Sequence, residues 1–344
     1  MSTFTIKATM LAGAAVSALA AFTPAVSAEE IKFALEMYEG DNPEYNAVTA
    51  FKEYVENKSN GELTVRIFAG NQMGSVRETT EMVQQGTLEM TLPSDGAFAG
   101  FYPPIQAWSM PYMFPSAPVA WEVMQGEFGQ WMLEDIHEQT GIKALAFSMN
   151  GFRSFLNNKR QIVTPADLDG MKIRTMESPV YMEMVKALGA DATPIAGSEA
   201  TMALQQGVVD GLENPPSVHL SGGAADLADF MTLNEHVFGL HIIIANDAWF
   251  TSLSPDHQKI IMDGAKLMAN VENVEKTTGD WTAIEQVKEK GIKVHISTPE
   301  EKQQFKEAVY QPVREYVSSQ VGEELLERIE DAVSDAEAKL YGIE

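Results

Sequence analysis

The chain has 344 residues, 24 Lys and Arg against 49 Asp and Glu, a formal net charge of -25 and no cysteine. An apolar share of 45% is that of a globular protein despite the charge, and a chain of this length ordinarily divides into two domains. Without Cys there is no disulfide framework, Cys-ligated zinc or thiol nucleophile, and the acidic excess argues against nucleic acid or an anionic membrane surface as partner.

Lys7, the Ala-rich apolar stretch 8–22, Pro24 and the small residues Val26-Ser27-Ala28 read as a signal peptide over 1–28, cleaved after Ala28. The apolar stretch is shorter than the ~20 residues of a membrane span. An exported, periplasmic product with no direct membrane insertion is therefore expected. After it, Ile31 to Leu35 predicts a strand ended by the turn Glu39 to Pro43. Pro43 opens a helix in which Tyr45, Val48, Phe51, Tyr54 and Val55 recur at helical spacing. Leu63 to Phe68 alternates as a strand, Ser75 to Gln85 is helical up to Gly86, and Leu88 to Leu92 is a third strand. This rhythm predicts parallel strands covered by helices, an α/β fold.

A second unit begins near residue 142. A strand over 142–148 leads into a predicted loop, Met149 to Arg153. Thr164-Pro165 with Asp167 is a helix start, and Met171 to Met176 a strand carrying Arg174 near its end. A helix over 198–207 is followed by a strand from Val208-Val209, and Leu240 to Ala245 is strongly β-branched. Helix patterns at 254–290 and 299–341 flank a short strand over 291–296. No Ser/Gly linker separates the halves, so the chain is expected to cross between domains more than once.

Catalytic patterns are missing: no Gly-x-Ser-x-Gly, His-Glu-x-x-His, Walker loop or Gly-x-Gly-x-x-Gly occurs. His236 and His241 fall on different faces at their spacing and read as ordinary histidines rather than metal ligands. What remains is polar residues at strand ends, where open parallel sheets bind ligands. Glu36, Arg153, Arg174 and the turn Glu213-Asn214-Pro215-Pro216 are all so placed. Arg suits a carboxylate because its planar fork gives two parallel hydrogen bonds; a surface ion pair is the competing reading of each Arg taken alone.

These residues also carry a family signature. Gly151-Phe152-Arg153, the run Thr164 to Met176 containing Asp169-Gly170-Met171-Lys172-Ile173-Arg174, and Ala203 to Pro215 containing Gly211-Leu212-Glu213-Asn214 resemble the solute receptors of TRAP transporters, the DctP family. Asn71-Gln72-Met73-Gly74 and Pro111-Tyr112-Met113-Phe114 extend the resemblance over the whole mature chain. It implies a two-domain periplasmic solute-binding fold (type II-like), with crossing strands and a long domain-spanning helix. Its domains would be 29–150 with about 241–275, and 151–240 with about 276–344. It implies a non-enzymatic receptor without cofactor or metal, passing a small carboxylate to TRAP membrane permease subunits. Arg174 matches the family's carboxylate-binding arginine, Arg153 a second ligand-contacting arginine, and Asn214 the asparagine that completes the site.

Ligand class is less sharply marked. Leu35 to Gly40 and Lys172 to Met176 look closest to ectoine-type receptors, in which an acid at Glu36 meets the cationic end of the ligand. Met176 belongs to the same motif, and Phe238, with Phe98, would supply what exists of an aromatic box. Gly197 stands where many members put a bulkier residue. The expected ligand is an organic acid or an ectoine-like zwitterion, with the zwitterion favoured. An exported enzyme using Glu36 as base, or a ligand-sensing partner of a membrane receptor, are the alternatives.

Overall fold

The computed structural model describes residues 1–2 and 28–342; the body of the predicted signal peptide lies outside them. In the N-terminal half, β1 (Glu29–Ala34) pairs in parallel with β2 (Leu63–Phe68) on one side and with the two-residue β3 (Met90–Thr91) on the other. Between them run α1 (Pro43–Lys58) and α2 (Val76–Gln85). Local chemistry sets both helix starts. The Asn42 side chain accepts from the Tyr45 amide, and Ser75 and Glu78 form a capping box. Gly86, left-handed at φ 80°, ends α2. Three helices follow: α3 (Asp95–Phe98), α4 (Ala117–Gln125) and α5 (Glu127–Thr140).

The second half repeats the parallel pattern. β5 (Lys172–Thr175) lies between β6 (Asp191–Pro194) and β7 (Gly211–Asn214), connected by α6 (Pro179–Ala187) and α7 (Gly197–Gln205), with α8 (Pro216–Ser221) after the Asn-Pro-Pro turn.

Two long strands join the halves. β4 (Ile142–Asn157) and β8 (Phe230–Asn246) run antiparallel from the pair Ile142 and Asn246 to the pair Asn157 and Phe230. β8 pairs with β3 at one end and with β9 (Lys293–Ile296) at the other, while β4 takes up β7. The result is one mixed sheet in the order β2-β1-β3-β8-β4-β7-β5-β6, with β9 also on β8. The predicted loop at Met149 to Arg153 is therefore strand. Its polar and glycine content reflects bulges, with register shifts at Met149/Gly151 and Arg153/Phe155, rather than a break. The strand predicted from Val208 begins three residues later, at Gly211.

After α9 (Asp247–Ser252), α10 (Pro255–Glu289) runs 35 residues, roughly 50 Å, and packs on α1 and β4 and then on α8 and β9. The long C-terminal helix predicted over 299–341 is two, α11 (Pro299–Val321) and α12 (Glu323–Tyr341), parted at Gly322, whose φ of 88° a non-glycine residue adopts only under strain. Phe33, Phe51, Ile243 and Met268 belong to the core beneath the first half, and Leu204, Leu212, Met231 and Val287 to one beneath the second. A larger core, with Trp108, Phe155, Met184, Phe305 and Ile329, runs from the first half into the second, and the strand ends are left to line the space between them.

Candidate functional site

A cavity of about 130 Å³ lies between the halves, at the carboxyl ends of β1, β5 and β7, the position open parallel sheets leave for ligands. Arg174, from the end of β5, is 2% exposed. Its Nε donates to the Ile195 carbonyl at 2.8 Å, which orients the guanidinium. Its two terminal nitrogens have no protein partner among the described residues. Burial brings its pKa down to about 10, against the pull of Glu213 and Glu36, so the group stays cationic at neutral pH.

Three uncharged polar groups stand on the same wall: Asn214 at the end of β7, Asn150 at the β4 bulge and His219 on α8. The Asn150 Oδ1 is buried without a partner. His219 Nε2 lies 3.1 Å from the Ser154 carbonyl, which can only accept, so Nε2 carries the proton. Nδ1 is then an acceptor, buried and unpartnered. Burial lowers the pKa of this histidine to about 4 and keeps it neutral.

Glu36 comes from the opposite side, directly after β1. Its carboxylate makes no protein hydrogen bond among the described residues, and burial raises its pKa despite the Arg174 charge. A Cβ on Gly197 would sit 2.0 Å from Glu36 Oε1, so the glycine at the start of α7 makes room for that carboxylate. Beside it, Glu44 accepts from Lys276 Nζ at 2.6 Å, and His241 Nδ1 lies 2.6 Å from Glu272 Oε1. Glu44, His241 and Glu272 place ligand atoms within 4.8 Å of one another, close enough for a metal ion. Lys276 already supplies the compensating charge there.

Arg174, Asn214, Glu36, Met176 and Gly197 thus converge on the cavity, and two predicted site residues do not. Arg153 is wholly buried and held by Glu213, with Nε to Oε2 at 2.5 Å and Nη2 to Oε1 at 2.8 Å, while its Nη1 is buried without a partner among the described residues. It lies behind the wall because β7 hydrogen-bonds to β4 and brings Glu213 to it. Burial opposes both charges, but the pairing wins: Glu213 is held down to about 2 and Arg153 is raised. Phe238, 2% exposed, packs against Phe114 and Phe152 in the core, and Phe98 is fully buried. Among the described residues no Phe, Tyr or Trp ring lines the cavity, so the partial aromatic box expected of Phe238 and Phe98 is not formed there.

Sequence reasoning missed Glu44, Asn150, His219 and His241. His219 follows Asn214 by five residues, just past a turn that was recognised, and that position was the available signal. Glu44 looks like an ordinary acid in a helix's first turn. His241 differs from His236 only in its environment: the latter stacks on Phe155 and bonds Asn234.

The model of the bacterial extracellular solute-binding protein family 7, DctP, matches residues 36–320. A solute-binding protein of Verminephrobacter eiseniae is 35% identical over 286 residues, 83% of this chain and 84% of its own. The sugar acid binding protein of Advenella mimigardefordensis, solved in complex with galactonate, superposes with a TM-score of 0.86 at 28% identity, covering 90% of this chain and 99% of its own. A TRAP periplasmic solute-binding protein of Sulfurospirillum deleyianum with bound succinate gives 0.83 at 27%, covering 89% and 100%.

Proposed function

The chain belongs to the bacterial extracellular solute-binding proteins of family 7, the TRAP-type receptors, and from that premise we propose that it captures a hydroxylated monocarboxylate for delivery to a TRAP membrane permease. The observation that carries this reading is the pairing of poles across the cavity: an oriented Arg174 fork with free terminal nitrogens faces an unpartnered Glu36 carboxylate. Arg174 and Asn214 take the ligand carboxylate through a charge-assisted fork. Glu36, Glu44, Asn150 Oδ1 and His219 Nδ1 add acceptors that call for donors on the ligand, while Arg77 stands exposed at the rim.

Hydroxyl groups answer that call, and the galactonate bound by the Advenella relative is an acid of that kind. The ectoine-like zwitterion is the second reading, supported by the Glu36 charge. It is disfavoured because a delocalised cation is normally held against the faces of Trp, Tyr or Phe, and none of these lines the cavity among the described residues. Arg153 and Phe238 take supporting roles, Arg153 by fixing Glu213 immediately before Asn214. The β4 and β8 crossings near Asn150 and Leu240 support lobes of 29–150 with 241–275 and 151–240 with 276–344, in a mature periplasmic chain. The site holds binding groups rather than a nucleophile with its base, which favours a receptor over an enzyme.

Calorimetry of the mature protein with galactonate, succinate and ectoine tests the reading. Galactonate is expected to bind most tightly, and Arg174→Lys, which keeps the charge and loses the fork, to weaken it by about 2–5 kcal/mol with the fold intact. No binding of any carboxylate by the folded protein would refute the receptor; tighter binding of ectoine would transfer the assignment to the zwitterion.

A further inference from the structure

One face of α10 carries a polar stripe, buried at Glu272, Asn273 and Lys276 and half-buried at Asp280, that none of the ligand contacts above requires. Glu272 reaches His241 on β8, and the Asn273 Oδ1 accepts from the Met149 amide on β4 at 2.6 Å. Lys276 reaches Glu44 on α1, and Asp280 accepts from the Ser217 amide on α8 at 3.0 Å. Residues 272, 276 and 280 are successive turns of one helical face. Lys276 is the stripe's one cation, and it is fully buried.

Its partner Glu44 lines the cavity while Lys276 does not, so the ammonium stands behind the wall. Several charged or titratable groups surround Glu44. Glu36 lies beyond the end of β1, His241 on β8, Glu272 and Asp280 on α10, and Arg174 across the cavity on β5. Among the described residues, Lys276 is the one cation in hydrogen-bond contact with Glu44. Neither member of such a pair tolerates loss of the other, because a lone buried charge is strongly unfavourable.

We propose that Lys276 determines ligand specificity through Glu44, neutralising that carboxylate from behind so that the wall opposite Arg174 admits a monoanion. Being committed to Glu44, it offers no cation to a second ligand carboxylate; Arg77, the other cation of the lining besides Arg174, is exposed and paired with Glu81, so dicarboxylates are disfavoured. The inference rests on the carboxylate-receptor reading and assigns Lys276 a positioning role, since it does not touch the ligand.

Three folded variants, Lys276→Met, Glu44→Gln and the double variant, are titrated with galactonate and with succinate from roughly pH 8 to roughly pH 6. In wild type the galactonate affinity is expected to be flat across this range. Lys276→Met leaves Glu44 uncompensated, so galactonate affinity drops about tenfold or more at the alkaline end and recovers towards the acid end as Glu44 takes a proton. The double variant has no charge to compensate and returns to the wild-type affinity and flat profile. Glu44→Gln frees the Lys276 charge and raises succinate affinity about tenfold.

Wild-type galactonate binding with a flat profile in Lys276→Met overturns the proposal. So does a double variant as weak as the single, which would make Lys276 merely structural. Should Lys276→Met fail to fold, Glu44→Gln carries the test, and no gain in succinate affinity overturns the proposal. A wild-type protein that binds neither acid overturns the receptor reading and this proposal with it; any of the other adverse results, with wild-type binding intact, overturns this proposal alone.

Discussion

Glu36 and Gly197 show how one side chain's place in the site depends on another residue's lack of one. The Glu36 carboxylate occupies the space a Cβ on residue 197 would take, and nothing in the backbone angles of Gly197 demands glycine. Gly197→Ala is therefore expected to leave the fold intact, displace Glu36 and weaken galactonate binding, measured by calorimetry beside a thermal melt. Affinity equal to wild type would mean that Glu36 does not need that position. Glu36 also carries a pH signature. Its folded pKa is raised by burial, so the folded state holds the proton more tightly than the unfolded chain does. Stability is then lost as the pH rises from the unfolded value near 4.5 through the raised one. Without ligand, Glu36→Gln is expected to melt above wild type near neutral pH and with it in acid; equal melting temperatures at both would refute this.

At the level of elements, β4 and β7 are fastened by the Arg153 and Glu213 pair, and the linkage there has the opposite sign. Glu213 is held down to about 2 against an ordinary 4.5. Its contribution, about 3 kcal/mol, is complete above the unfolded value and disappears as the pH falls from there through about 2. Melting temperature followed against pH should fall steeply across that window. Glu213→Gln should lose about 3–5 kcal/mol at neutral pH, because Arg153 stays buried and unpaired, and should show a shallower acid limb. A variant with the wild-type acid limb would place the titration elsewhere. The same pair is what the sequence reading could not see at Arg153. A buried ion pair and a ligand-binding arginine both need an Arg at a strand end, and the partner, Glu213, lies 60 residues away.

For the whole molecule, the halves are joined by a continuous apolar core, in which α11 and α12 pack against α4, α5 and residues 103–107, and by a few side-chain contacts beside the cavity. Tyr181 on α6 donates to Asp95 on α3 at 2.8 Å, and Ser94 Oγ lies 3.4 Å from Met176 Sδ. The contacts beside the cavity are few, and the bulges in β4 and β8 let the halves bend apart there while the shared core stays closed, which suits a hinge. Tyr181→Phe removes one clasp and should enlarge the radius of gyration of the ligand-free protein by small-angle scattering, with ligand restoring the compact value. Identical radii in both variants, with and without galactonate, would argue against hinge closure.

Much was settled by the chain's own order of residues. Helix starts were legible because capping is local: Asn42, Ser75 and Thr298 sit within three residues of the amides they cap. The α/β class followed from alternating periodicities, and the strand-end places of Arg174, Asn214 and Glu36 from the same reading. The tertiary structure decided what depends on distant partners. It turned the predicted loop at Met149 into strand, because pairing with β8, some 90 residues on, outweighs local glycine and polar content. Arg153 went behind the wall and Phe238 into the core, while Glu44, Asn150, His219 and His241 came to the cavity. Which polar groups are left unpaired to meet a ligand is a property of the packed whole, because each partner that satisfies or spares them arrives from elsewhere in the chain.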